Sequence, residues 1–281
     1  MSSQPPYRGR IAPSPTGYLH LGHARTFWTA YERARENRGT LIFRNEDLDP
    51  LRSKAEYAAA MIEDLRWLGI AWQEGPDVGG PHGPYEQSVR REFYLRDWKK
   101  LVEGGSVYPC TCSRKDLATS AQAPNEADEE LIYPGRCRPT GGTKLQPVSP
   151  KGLNWRFRVP DGEAIGFPDG NLGEQSYVAG RDFGDFVIWR RDDVPAYQLA
   201  VVTDDCDMRV TEVVRGEDLL VSTARQILIL RALGRPIPAY YHCPLLRDAA
   251  GQRLAKRTDA LSLRELRKKG YTPDQIREMW A

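Results

Sequence analysis

Arg8-Gly-Arg-Ile-Ala12-Pro-Ser-Pro-Thr-Gly17-Tyr-Leu-His20-Leu-Gly-His23 passes from an extended run, through a turn rich in proline, into a segment with helical spacing. Arg8 to Ala12 reads as a short strand, and Pro13, Pro15 and Gly17 stop it. From His20 onward Leu21, Ala24, Phe27, Trp28 and Tyr31 recur as one face of a helix. His20 and His23 then share a face of the first turn. A helix start exposes unpaired N–H groups and the positive end of the dipole, so an anionic phosphate binds well there. Gly22 leaves room for a flat adenine or ribose against the backbone, and the imidazoles can donate to developing phosphate charge. The plainer reading of the same residues is a strand-to-helix turn carrying two partly exposed histidines.

Working outward, strand and helix alternate: a strand through Thr40 to Arg44, a helix from about Ser53 to Leu68, a turn-rich loop over Gly75 to Pro84, and a helix from Tyr85 to about Glu103. That order begins an α/β, doubly wound parallel sheet. From Val107 to Asp193 the texture changes to glycine, proline and short extended runs such as Asn154 to Val159 and Asp185 to Arg190. Sheet pattern resumes at Tyr197 to Thr203 and at Thr211 to Arg215, followed by a helix from about Leu219 to Leu233. The expected organisation is a first half of the nucleotide-binding unit over residues 1–106 and an inserted module over 107–193. Its second half follows over 194–236, and a C-terminal region over 237–281. Ala118 to Glu130, rich in Ala, Glu and Asp, reads as a polar loop within the insertion.

Forty basic residues against 38 acidic ones give a net charge of +2, too even to advertise nucleic-acid binding by itself, so any such footprint must be local. With 40% hydrophobic residues there is no apolar run of about 18 residues and no basic-then-apolar leader. The expectation is a soluble cytoplasmic protein without membrane partners. Five cysteines, an odd number without an export signal, argue for free thiols or a metal site over a disulfide framework. Cys110-Thr-Cys112 and Tyr133-Pro-Gly-Arg-Cys137 put three thiols and a phenol in the inserted module. Zinc takes four tetrahedral ligands and prefers cysteine sulfur in closed sites, while buried free thiols are the other account of the spacing. Cys206 and Cys243 read as ordinary thiols.

The run Pro13 to His23, and Arg253-Leu-Ala-Lys256-Arg257 near the other end, resemble the two ATP signatures of class I aminoacyl-tRNA synthetases. In the second, arginine stands for the first lysine of the family form and Ala255 for its usual serine, while Lys256 is kept. Arg10 before the first signature, Glu46 closing Arg44-Asn-Glu46, and Arg215 opening Arg215-Gly-Glu-Asp-Leu219 extend the resemblance to the glutamyl-tRNA synthetase group. Arginine forks suit carboxylates, and the carboxyl ends of parallel strands are where such sheets hold ligands.

The resemblance implies a Rossmann-type parallel sheet split by a zinc-bearing, acceptor-type insertion. His20, Gly22, His23 and Lys256 would bind ATP with Mg2+, and His20, His23 and Lys256 would serve catalysis. Arg10, Ser14, Glu46, Tyr197 and Arg215 would hold L-glutamate. Cys110, Cys112, Tyr133 and Cys137 would ligate one structural Zn2+. A full-length member continues into a helical anticodon-binding region, whereas this sequence stops at Ala281, after a short stem-contact-like stretch. That pattern is similar to the short paralogues that place glutamate on the queuosine base at the wobble position of tRNA(Asp). It implies a monomer with ATP, L-glutamate and the queuosine-bearing anticodon arm of tRNA(Asp) as partners. The alternatives are a truncated glutamyl-tRNA synthetase charging a tRNA 3′ end, a nucleotide-binding regulatory paralogue, and a nucleotidyltransferase that uses no RNA.

Overall fold

A computed structural model describes residues 5–112, 132–140, 149–246 and 262–280. In chain order the elements are β1 Arg8–Ile11, α1 Leu21–Glu36, β2 Thr40–Phe43, α2 Ala55–Trp67, α3 Arg91–Glu103, β3 Val107–Cys110 and β4 Asn154–Phe157. They continue with β5 Ala164–Asp169, β6 Gly173–Val178, β7 Phe186–Trp189, α4 Tyr197–Asp207, β8 Glu212–Gly216, α5 Leu220–Leu233, β9 Ala239–Cys243, α6 Leu263–Lys268 and α7 Pro273–Glu278.

β1 and β2 are short and covered on both faces, as strands of a parallel sheet are, although β1 carries Arg8 and Arg10 where β2 is apolar. They pair in parallel from Arg8 opposite Thr40 to Ile11 opposite Phe43. Outside β2 the chain adds one more extended piece, with Gln73 N–H donating to the Leu41 carbonyl and Phe43 N–H to that of Glu74. On the other side of β1, the Thr211 N–H donates to the Arg8 carbonyl at 2.9 Å, setting β8 beside it. β8 pairs in parallel with β9, and β9 meets β5 at Asp169 opposite Tyr240. The order across the molecule is therefore β2, β1, β8, β9, β5, β6, which places the first signature and β8 at the centre, where the strand order reverses. Helix α1 lies close to this sheet because the residues it buries, Leu21, Ala24, Ala30 and Ala34, are mostly small. Gly39 is required where the chain turns into β2, since a Cβ there would stand 2.5 Å from the Tyr7 carbonyl oxygen.

β3, β4 and β7 form a separate antiparallel sheet. Its Trp155, Phe157, Phe186, Ile188 and Trp189 share one core with Trp98 of α3, Leu199 of α4 and Ile227 of α5. Trp98 and Trp155 meet edge to face at 4.9 Å. The hairpin β5–β6 departs from this sheet and joins the parallel one, so the inserted stretch is packed against the nucleotide fold on both counts.

Two local expectations are corrected. Tyr197 to Thr203 is the start of helix α4, not a strand: Gln198 to Asp205 are all buried, and a helix covered all round shows no polar face to reveal its period. The helix expected from Tyr85 begins only at Arg91; Tyr85 instead extends beside β2, its carbonyl accepting from the Asn45 N–H. No helix among the described residues is long and apolar enough to cross a membrane.

Candidate active site and thiol cluster

His20 is the residue at which α1 begins; its backbone is extended and its side chain makes no cap hydrogen bond. The first turn contains no acidic residue. No carboxylate of the first turn thus competes with an anion at the positive end of α1. The rings of His20 and His23 stack 3.8 Å apart, and a Cβ on Gly22 would come within 3.3 Å of the His20 ring. Gly22 thus sets the His20 ring down over the turn. Ser262 bridges back to His20, and the Leu263 N–H donates to the Leu19 carbonyl at 2.7 Å, so the chain that follows the second signature returns alongside the first. Lys256 itself, and the polar stretch Ala118 to Glu130, lie outside the described residues.

At the carboxyl ends of β1, β2 and β8 sits a cluster of buried charges. Arg10 donates to the Val214 carbonyl at 2.8 Å and its Nε stands 3.4 Å from Asp205, without a hydrogen bond of its own among the described residues. Arg44, fully buried, donates to Asp205 at 2.6 Å and to Glu46 at 2.9 Å. The Glu46 N–H in turn donates to the carbonyl of Pro13, which brings Glu46 next to the exposed Ser14. Arg215 donates to Gln226 at 2.9 Å, to Thr223 at 2.6 Å and to His242 Nε2 at 3.3 Å. Tyr197, at the first residue of α4, lies within electrostatic reach of Arg215, Glu46 and Arg10.

The charges act on one another. Burial pulls the Arg10 guanidinium below its ordinary range, with Asp205 opposing and Arg44 and Arg215 adding to the fall. Burial pushes Glu46 above the usual carboxyl range in spite of Arg44. Burial would raise Asp205 too, but Arg44 and Arg10 outweigh it and hold the carboxyl low. Two arginines and a carboxylate gathered at the strand ends suit a zwitterion that carries a further negative group. The structure brings Arg10, Glu46, Tyr197 and Arg215 together. It adds Arg44, Asp204, Asp205, Thr223, Gln226 and His242, none of which sequence reasoning singled out. Asp204 and Asp205 follow Tyr197 at i+7 and i+8, a helical signal that reading the segment as a strand concealed.

The thiol cluster lies at the end of β3. The sulfurs of Cys110, Cys112 and Cys137 all fall within 4.8 Å of one another, with 3.6 Å between Cys112 and Cys137. The Tyr133 hydroxyl is 3.4 Å from Cys110 Sγ and 3.6 Å from Cys112 Sγ, and it accepts from the Cys137 N–H. Tetrahedral ligands with zinc–sulfur bonds of about 2.3 Å stand about 3.8 Å apart, somewhat less where one is oxygen, so these four groups fit the ion's shape. Arg156 donates to Cys110 at 3.3 Å, and its guanidinium lies 3.8 Å above the Tyr133 ring. Burial pushes the Cys137 thiol up, yet the Tyr133 hydroxyl and neighbouring donors hold it at about 6, which favours a thiolate. A cavity of about 520 Å³ opens beside the cluster, lined by Tyr133, Arg138, Asp161, Gly180 and Asp185 among others. It is not the cleft that holds the charges described above.

The family described as tRNA synthetases class I (E and Q), catalytic domain, matches residues 7–280. A glutamyl-Q tRNA(Asp) synthetase of Nitratidesulfovibrio vulgaris is 49% identical over 271 residues, 96% of this chain and 83% of that protein. A glutamate–tRNA ligase 2 of Acidithiobacillus ferrooxidans is also 49% identical, over 98% of this chain but 57% of its own length. Among solved structures, a glutamate–tRNA synthetase of Elizabethkingia anophelis superposes with a TM-score of 0.77 at 30% identity, covering 94% of this chain and 54% of that one. The chain thus spans little more than half of the ligases it matches.

Proposed function

Because this chain belongs to the class I tRNA synthetases for glutamate and glutamine, we propose that it activates L-glutamate with ATP and transfers it to the queuosine base at the wobble position of tRNA(Asp). What supports the amino-acid half is the gathering of Arg10, Glu46 and Arg215 around Arg44 and Asp205 at the strand ends. The acceptor half is supported by the relative named for that reaction, which this chain matches over most of both lengths.

In the first step the glutamate α-carboxylate attacks the α-phosphorus of ATP and pyrophosphate leaves. His20, His23 and the N–H groups opening α1 hold the phosphates, and Lys256 offsets their charge as the mixed anhydride forms. Mg2+ arrives with ATP and supplies further charge neutralisation when bound. Glu46 takes the ammonium group, Arg10 and Arg215 the carboxylate end, and Ser14 and Tyr197 close the pocket with hydroxyls. In the second step a queuosine hydroxyl attacks the anhydride carbonyl and AMP leaves. Positioning and charge stabilisation carry the rate, so no dedicated general base is assigned. Cys110, Cys112, Tyr133 and Cys137 would hold one Zn2+ that braces the insertion. The enzyme would act in the cytoplasm as a monomer, with residues 1–106 and 194–236 forming the nucleotide fold around the 107–193 insertion.

A second reading has its own support: the Acidithiobacillus ligase reaches the same identity, so the acceptor could be a tRNA 3′ end. One experiment separates them. Radiolabelled glutamate and ATP are supplied with tRNA(Asp) carrying queuosine, with the same tRNA carrying guanosine, and with tRNA(Glu). Label on the queuosine-bearing tRNA alone is the expected result. Label on tRNA(Glu), or no glutamate-dependent exchange of pyrophosphate into ATP, overturns it.

A further inference from the structure

Arg215 is anchored by three groups that come from two separate elements, α5 and β9. Thr223 and Gln226 belong to α5, one and two turns beyond the arginine's own strand, and take its Nη atoms. The third partner is His242 of β9, fully buried, whose Nε2 faces Arg215 Nε at 3.3 Å and Thr223 Oγ1 at 3.0 Å. Behind it stands Asp169 of β5, 2.6 Å from His242 Nδ1. The tip of the β5–β6 hairpin straps over β9 at this point: Gly170 N–H donates to the Tyr240 carbonyl and Asn171 Nδ2 to the carbonyl of His242. Asp169 also accepts from the N–H groups of Asn171, Leu172 and His242. A carboxylate so surrounded is held ionised, and burial works against it without winning.

An ionised Asp169 can only accept, so Nδ1 keeps its proton and donates a hydrogen bond to the carboxylate. That leaves Nε2 of a neutral imidazole as an acceptor, which is what the Arg215 Nε–H requires. The three bonds commit one edge and part of the fork of Arg215, and leave the remaining N–H groups for a ligand. We propose that Asp169 and His242 form a positioning relay, reaching from the insertion into the cleft, which fixes the tautomer of His242 and thereby aims Arg215 at the substrate carboxylate. The relay rests on the reading of the cleft as a glutamate site. Neither residue touches substrate; both act through Arg215.

The relay has a sign. Burial lowers the His242 imidazole below its ordinary range, Arg215 and Arg10 lower it further, and Asp169 alone raises it. Among the described residues, those three, with the Tyr240 ring on the same strand, are the main titratable and charged groups that face it. Protonation would replace the acceptor at Nε2 with a donor and set a second cation against Arg215. Glutamate affinity should therefore fall on the acid side, at a pH below the ordinary histidine range.

The two amide variants of His242 test different ends of the ring. His242→Asn keeps a polar group near Nδ1 but vacates Nε2; His242→Gln reaches the Nε2 position with an oxygen that cannot titrate. In pyrophosphate exchange by the full chain with ATP, glutamate and acceptor tRNA, H242N should raise the KM for glutamate by about 10-fold or more, with the KM for ATP within about 2-fold. H242Q should hold the rise to about 3-fold and abolish the acid limb in glutamate affinity. Equal rises in both KM values, or an acid limb unchanged in H242Q, overturns the relay. The tautomer is read separately, without substrate, from the long-range 1H–15N spectrum of His242: a proton on Nδ1 supports the relay and a proton on Nε2 sinks it. A wild-type chain that shows no glutamate-dependent exchange would instead sink the reading of the cleft, while leaving the tautomer to be judged by the spectrum.

Discussion

Asp205 and Asp64 are both buried carboxylates, one beneath the cleft and one where α2 meets α6, and their surroundings drive them in opposite directions. Asp205 stands 2.6 Å from Arg44 and 3.4 Å from Arg10, and the two guanidinium groups hold it below the usual carboxyl range. Asp64, 1% exposed, has no hydrogen-bond partner on either oxygen among the described residues. Its nearest cation, Arg264 Nε at 3.9 Å, is drawn outward by Glu63, which accepts from both Arg264 and Arg267. The lesson is that burial alone does not say what a charge is for. Under the cleft, each carboxylate has a guanidinium within 2.6–2.9 Å; at the helix contact, one carboxylate is left without a hydrogen bond among the described residues and its nearest cation stands off at 3.9 Å.

The largest effect should come from breaking the balanced side. Arg44→Ala removes the guanidinium that bonds Asp205 and Glu46 and lies 3.8 Å from Asp204, leaving Glu46 without its ion pair and Asp205 with only Arg10 at 3.4 Å, while Asp204 keeps Arg90. A cost of about 3–5 kcal/mol is expected in the urea unfolding free energy. An Arg44→Ala chain as stable as wild type would mean that the acids take up protons or water at little cost and that the balance is not structural. The dependence on pH points the same way. Because the folded Asp205 is depressed, its contribution is present above the unfolded carboxyl range and is lost as pH falls through its folded value.

The thiol cluster is a third arrangement, in which thiols and a phenol face one another across 3.4–3.6 Å with Arg156 as the cation that touches them. Such a set calls for a cation at its centre. The expected result is one zinc per purified chain, a loss of about 3 kcal/mol when a chelator strips it, and neither metal nor chelator effect in Cys110→Ser. Arg44→Ala, by contrast, should keep its zinc. A wild-type chain that purifies without metal and melts at the same temperature in chelator would remove the cluster from the comparison and leave it a set of free thiols.

Legibility in the sequence followed the range of the interactions. The stretch from Arg8 to His23 carries its own strand, turn and helix start within a few turns of chain, so its stacked histidines were visible as a pair. The thiol cluster was visible too, because cysteine is scarce and its spacing is countable. Asp169 and His242 were not: they lie 73 residues apart, in strands that pair at a single position, and neither forms a pattern by itself. Helix α4 was hidden by a different cause. Its Val201-Val202-Thr203 run has the β-branched look of a strand, and tertiary packing on every side overrides that local preference. The anchoring residues of the cleft, Asp204 and Asp205, were lost with it.

The smallest and most pointed prediction concerns Asp64. Burial pushes its carboxyl up to about 6, above the unfolded value near 3.9. A raised folded value means that the folded state binds its proton more tightly; the group opposes folding once both states are ionised, above about pH 6, and ceases to do so below about pH 4. Asp64→Asn should therefore stabilise the chain at pH 7.5, by about 1–2 kcal/mol after allowing for an amide that is itself buried without partners. The gain should shrink steadily between about pH 6 and pH 4, where wild-type Asp64 becomes neutral on its own. Urea midpoints for the two chains at pH 7.5 and pH 4.5 decide the matter. A variant less stable than wild type at pH 7.5 would show that Arg264 does compensate Asp64 across 3.9 Å, and that the two buried carboxylates differ in degree and not in kind.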